Sequence, residues 1–179
     1  GSDPTADDPA YTAPITITET TIVRAASFPA DALPGKAATW SYFLRENSTL
    51  PVVSLVTDPD NLTGAQGIYS NHERAWSEKW EREATVAMYE DGGEFSIDCG
   101  IRMHGRTSRR VSEKKSFTLK FRGRYGGDLN YDVFGDGVVT DFSSLLLRAS
   151  VEDTYTSYMR DEFFARIAMD YTDVPAQNY

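Results

Sequence analysis

The chain has 179 residues, 40% of them hydrophobic, with 18 basic and 27 acidic side chains, 13 glycines, 8 prolines and one cysteine, a composition that suits one ordinary domain plus a remainder and lies far from disordered chains. The longest aliphatic run is Leu145-Leu146-Leu147, so no segment approaches the roughly 20 apolar residues of a membrane-crossing helix. Cys99 is alone and cannot form an internal disulfide, and no CxxC or Cys/His cluster offers a zinc site.

Residues 1–13 are rich in Asp, Pro, Ala and Thr; they predict no packed element and contain no apolar h-region of a secretory signal. Ile15, Ile17, Ile22 and Val23 begin a β-like pattern, Pro29 to Gly35 is turn-forming, and the alternation from Thr39 to Leu44 predicts a half-buried strand. This small β unit closes by residue 46. A polar break at Asn47-Ser48-Thr49 separates it from Val52–Val56, an apolar run that predicts a buried strand. The second region therefore spans residues 50–179.

Within it, strands are predicted at about 82–90, 95–104, 115–122 and 143–149, the first two joined through Asp91-Gly92-Gly93. Pleat parity puts Ile97, Cys99, Ile101 and Met103 on one face of their strand and Asp98, Arg102 and His104 on the other. The same rule sets Lys115 on the apolar side with Phe117, Leu119 and Phe121. From Asp153 as N-cap, Tyr155, Met159, Phe163 and Ile167 recur every fourth residue and predict an amphipathic helix, with Glu162 and Arg166 spaced for a helical ion pair. Several strands followed by a helix, with no βαβ alternation, predict an α+β protein built on a mainly antiparallel sheet with one C-terminal helix.

The net charge of −9 hides an asymmetry, because nine of the 18 basic residues lie between Arg102 and Arg124, where Glu113 is the only acid. That window carries +8 and everything else −17. Bulk nucleic-acid binding is disfavoured in so acidic a body; a short basic stripe suits a compact anion such as a nucleotide's phosphates, or is a solvated strand face.

Five segments occur in order: GIRMHGRTSRR (Gly100 to Arg110), KKSFTLKFR (Lys114 to Arg122), YG followed by LNYDVF (Tyr125 to Phe134), FSSLLLRAS (Phe142 to Ser150) and RDEF (Arg160 to Phe163). Together with PVVSLVTDPDNL and GIY between Pro51 and Tyr69, they resemble the amino-terminal half of the spore coat protein H (CotH) kinase family over residues 50–179. Upstream, the stretch from Gly1 to Ala25 is similar to the later part of a β module shared by chitobiase carboxy-terminal and fibronectin-III-associated domains, which gives residues 1–46 as a partial accessory module. The resemblance implies a kinase-like fold, an extracellular or cell-surface setting, and an atypical kinase that moves the γ-phosphate of ATP to protein hydroxyls with Mg²⁺. It also implies that the metal-binding aspartate and catalytic acids lie beyond Tyr179, so that residues 1–179 alone are inactive and carry neither catalytic nor metal-binding residues, and that exposed sheet surface favours self-association.

Of the parts phosphoryl transfer needs, this segment supplies cations for the phosphates. Lys115 is the first candidate for nucleotide binding: a lysine directed at an apolar face must find an anionic partner, lose its proton or snorkel out at the strand's end. Arg102 and Arg148 either clamp phosphate or pair with Asp161 or Glu162. The Gly105 to Ser108 turn has backbone N–H groups and hydroxyls suited to an anion, yet it lacks GxGxxG and GxxxxGK[ST] and reads as a loop. His72 and His104 lack metal-ligand spacing. Asp128, Asn130 and Asp132 imitate the start of an EF-hand loop, but Val133 and Val139 stand where Gly and Glu are required. Trp76, Trp80 and Tyr89 form either a sugar-stacking platform or core. The alternative to an enzyme is a non-catalytic adhesion module for a glycan, cell wall or protein partner, and acidic motifs beyond Tyr179 separate the two.

Overall fold

A computed structural model describes residues 1–44, 48–135, 137–151, 157 and 159–172. In chain order, β1 (Thr21–Ala25) and β2 (Ala38–Tyr42) form an antiparallel hairpin, with Val23 opposite Trp40. β3 (Val52–Val56) leads into a short helix α1 (Pro59–Thr63), whose N-cap Asp58 accepts a bond from the Asp60 N–H at 2.9 Å. A single 3₁₀ turn at Glu78–Trp80 precedes β4 (Arg82–Glu90) and β5 (Gly93–His104), joined by a two-residue turn at Asp91-Gly92. Then follow α2 (Ser108–Val111), β6 (Ser116–Lys120), the two-residue pair β7 (Leu129–Asn130) and β8 (Asp141–Phe142), β9 (Ser144–Leu147) and α3 (Arg160–Tyr171). The main sheet has the order β3-β4-β5-β6-β9, antiparallel at every step. The protein is thus α+β with mainly antiparallel sheets and a C-terminal helix.

The pleat decides what each sheet face does. Val86, Cys99, Ile101, Met103 and Leu119 are buried on one face and pack with Ile68, Ala75 and Trp80 from the loop before β4 and with Leu129 from β7. Each large apolar side chain buried there contributes about 1.5–3 kcal/mol. On the other face the N-terminal hairpin covers the β3–β4–β5 end: Ser41 and Ser54 share a hydroxyl bond of 2.7 Å, Thr85 donates to Thr39 at 3.2 Å, and Lys36 pairs with Asp98 at 2.7 Å. The β6–β9 end of that polar face is left uncovered by the hairpin.

The parity predicted for β5 holds, and the predicted strands at 52–56 and 82–90 coincide with β3 and β4. The others differ at their ends by at most two residues, as strand ends do where pairing stops. Ile15 and Ile17 lie in no strand. The predicted helix is present as α3, but it starts at Arg160 with Met159 at the N-cap and no capping side chain; Asp153 and Tyr155, its expected beginning, lie outside the described residues. Its Glu162–Arg166 pair forms at 3.6 Å. None of its described residues is buried, and Met159, Phe163 and Phe164 are exposed. Among the described residues, no helix is long and apolar enough to cross a membrane.

Candidate functional site

The basic window opens on β5. Arg102 pairs in register with Thr118 of β6, and His104 with Ser116, so these four side chains share the polar face while Ile101 and Met103 face the core. His104 Nδ1 stands 3.1 Å from Thr118 Oγ1. Beyond His104 the chain must turn at once. Gly105 makes that turn with φ +91, a conformation that favours glycine, and a Cβ there would meet Ser108 Oγ at 2.2 Å. The turn feeds α2, whose Arg109 is buried and donates from Nε to the Glu73 carbonyl at 3.1 Å and from Nη1 to the Gly105 carbonyl. Its guanidinium lies over the Trp76 ring, 5.9 Å from the centroid.

These elements line an open cleft of about 620 Å³ with Trp76, Arg102, His104, Arg106, Arg109, Arg110 and Thr118 in its walls and no carboxylate in the lining. Among the described residues, Arg102, Arg106 and Arg110 have no ion-pair partner. The crowding is electrostatically visible. Burial, then the charges of Arg148 and Arg102, push the His104 pKa below its ordinary 6.5. Burial, Arg110 and Arg106 likewise lower that of Arg109, opposed by the charge of Glu73. Such a cleft is suited to an anion, which relieves the repulsion between its walls.

The predicted site residues divide. Arg102 lines the cleft. Arg148, directly after β9, is not in the cleft lining; its charge lowers the His104 pKa and it pairs with Asp161 of α3. Glu162 pairs with Arg166 instead. Lys115 precedes β6, and its ammonium donates to the carbonyls of Arg109 at 2.7 Å and Ser112 at 2.5 Å. Those carbonyls, at the end of α2, are the negative partners that its half-buried position required, and burial lowers its pKa. Arg106, Arg109 and Arg110 were not singled out, although all lie in the +8 window.

A second cluster had no sequence signal. Glu81, its side chain 1% exposed, accepts from Arg122 Nε at 3.0 Å and Nη2 at 3.1 Å, from Arg124 Nη2, and from the Tyr125 hydroxyl at 3.3 Å. Burial works against its ionisation, but the hydrogen bonds and charges of Arg122 and Arg124 outweigh it and hold the carboxyl below its ordinary 4.5. Gly100 makes room: a Cβ there would lie 2.5 Å from Glu81 Oε1. Two window cations are thereby neutralised inside the fold.

Residues 101–179 match the family model described as CotH kinase protein. The match starts within β5 and takes in Arg102, His104, α2 with its arginines, Thr118, Arg148 and α3, whereas Trp76 and Glu81 precede it. No curated protein and no solved structure matches the chain. Among the described residues no group of three or more His, Cys, Asp or Glu side chains is placed to hold a metal, and Asp161 and Glu162 are taken up by arginines. In the EF-hand-like stretch, Asn130 donates instead to Asp141 across β7–β8 at 2.6 Å.

Proposed function

We propose that the arginine-lined cleft binds the phosphates of a nucleotide, and that the protein is part of an extracellular or cell-surface CotH-like kinase that carries the γ-phosphate of ATP to protein hydroxyls. The observation that carries this reading is a concave site with Arg102, Arg106, Arg109 and Arg110 in its lining and no lining carboxylate, its arginines all inside the CotH-matching segment. Positioning and neutralising phosphate is the larger part of phosphoryl-transfer catalysis, and this cleft has the means for it. Arg102 is the phosphate contact in the cleft in this proposal, while Arg148 reaches the phosphates only on leaving Asp161, and Lys115 holds the end of α2 through the carbonyls of Arg109 and Ser112. In this reading residues 1–179 alone carry out no transfer.

A second reading, glycan or protein binding without chemistry, is favoured by a cleft of about 640 Å³ on the other side of the hairpin, where Tyr42, Phe43 and Tyr89 stand with Glu90 and Asp91. Ring faces and carboxylate acceptors together suit a hydroxyl-rich ligand.

Calorimetric titration of the full chain with tripolyphosphate tests the first reading. Binding is expected, weakened about tenfold or more by Arg102→Met, since one charge-assisted hydrogen bond is lost, and unchanged by Lys36→Met, whose side chain pairs with Asp98 beside the N-terminal hairpin and is not in the cleft lining. Equal binding by wild type and Arg102→Met refutes it. Transfer of labelled phosphate by residues 1–179 in magnesium would refute the inactivity.

A further inference from the structure

Trp76 is 56% exposed while Trp80 is buried in the core, although both belong to the same loop. The backbone beside this indole is anchored and its ring lies under a guanidinium. The adjacent Ala75 is fully buried, and its carbonyl accepts from the Met103 N–H at 2.9 Å, which ties the loop to the end of β5. Arg109, itself tethered to the carbonyls of Glu73 and Gly105, lies over one ring face. Trp76 itself lines the cleft and is more than half exposed, beside Arg102, Arg106 and Arg110, which have no ion-pair partner among the described residues.

These two halves select for one chemistry. An inorganic phosphate would use the arginines and ignore the ring, whereas a neutral sugar or apolar ring would be placed against uncompensated positive charge. A molecule with a planar heterocycle at one end and several negative charges at the other satisfies both, since bases stack on indole with little regard to their edges and guanidinium groups match phosphate oxygens in pairs. We propose that Trp76 is the stacking platform for the base of a nucleoside polyphosphate, and that this ring makes the cleft prefer nucleotides over simple polyphosphates. The proposal rests on the anion-binding reading above. Indole held between a guanidinium and a base needs no reordering on binding, so the platform is preorganised.

The test compares ATP with tripolyphosphate on the full chain, by calorimetry and by intrinsic fluorescence. Wild type is expected to bind ATP about tenfold more tightly than tripolyphosphate, the increment typical of one stacked base, with fluorescence quenched by ATP alone. Trp76→Leu brings ATP down to the tripolyphosphate level and leaves tripolyphosphate unchanged; Trp76→Phe keeps most of the preference. Equal affinities in wild type, or equal losses for both ligands in Trp76→Leu, overturn the platform while the anion site stands. Tighter binding of a single-stranded oligonucleotide than of ATP also overturns it, in favour of a nucleic-acid surface. Failure of both ligands to bind overturns the platform and the anion reading together.

Discussion

Replacing Glu81 by glutamine tests whether the polar face is held by its buried carboxylate. The side chain is 1% exposed and receives bonds from Arg122, Arg124 and Tyr125. Breaking a fully buried ion pair costs about 3–5 kcal/mol, but Arg122 retains 33% of its side-chain surface in water and can rehydrate, which reduces the loss. Glutamine keeps the shape and one acceptor oxygen while presenting an amide N–H₂ to guanidinium donors, so at least one charge-assisted bond worth about 1.5–3 kcal/mol disappears. The expected destabilisation is about 2–3 kcal/mol, which shifts a urea midpoint by about 1 M. The pH dependence supplies the control. Glu81 has its folded pKa depressed below the ordinary 4.5, so its stabilisation is fully present above about pH 4.5 and is lost as pH falls through the folded value. Wild type and Glu81→Gln should therefore differ by the same amount at pH 7 and pH 6 and converge below pH 4.5. A difference below about 0.5 kcal/mol at pH 7, or one that persists undiminished at pH 3, would refute the reasoning.

Anion affinity should depend on His104. Burial, Arg148 and Arg102 keep its free-state pKa below 6.5, with Thr118 bonded to Nδ1 and Ser116 opposite in register; a bound anion favours the imidazolium, so sulfate, which does not titrate here, should bind more tightly as pH falls from 8 toward 5.5, and His104→Gln should flatten that profile. In the core, Ile101→Ala removes a fully buried side chain and is expected to cost about 2–5 kcal/mol by denaturant titration; a smaller loss would mean that the cavity collapses or that the β5 face is not sealed.

The parts of this fold that were legible are those in which one face of an element is buried over many residues. β5 alternates for twelve residues between core and polar sides, and a one-residue slip would have inverted all of them, so its parity could be read without a structure. Lys115 shows where that rule ends. It lies one residue outside β6, where the pleat no longer dictates direction, and the four-residue α2 that receives its ammonium is too short to leave a period in the sequence. The two-residue strands β7 and β8 are equally silent. Glu81 was invisible for a different reason: its partners Arg122 and Arg124 are more than 40 residues away and meet it only because β4, β5 and β6 pair in a particular register.

That register also explains why a window carrying +8 yields a site narrower than its charge. Arg122 and Arg124 are consumed by Glu81, Lys115 by two carbonyls at the end of α2, and Arg109 by the carbonyls of Glu73 and Gly105. The N-terminal hairpin seals the far end of the same face, where Lys36 meets Asp98. Among the described residues, three of the window's arginines without an ion-pair partner, Arg102, Arg106 and Arg110, lie together in one cleft with His104 and the Trp76 indole. Like charges gathered without partners weaken a folded protein, and an acidic chain with 27 carboxylates had ample means to cancel them. Among the described residues Arg102, Arg106 and Arg110 share this one cleft without an ion-pair partner, and the anion binding proposed above accounts for that departure, since functional sites are where folding rules are broken.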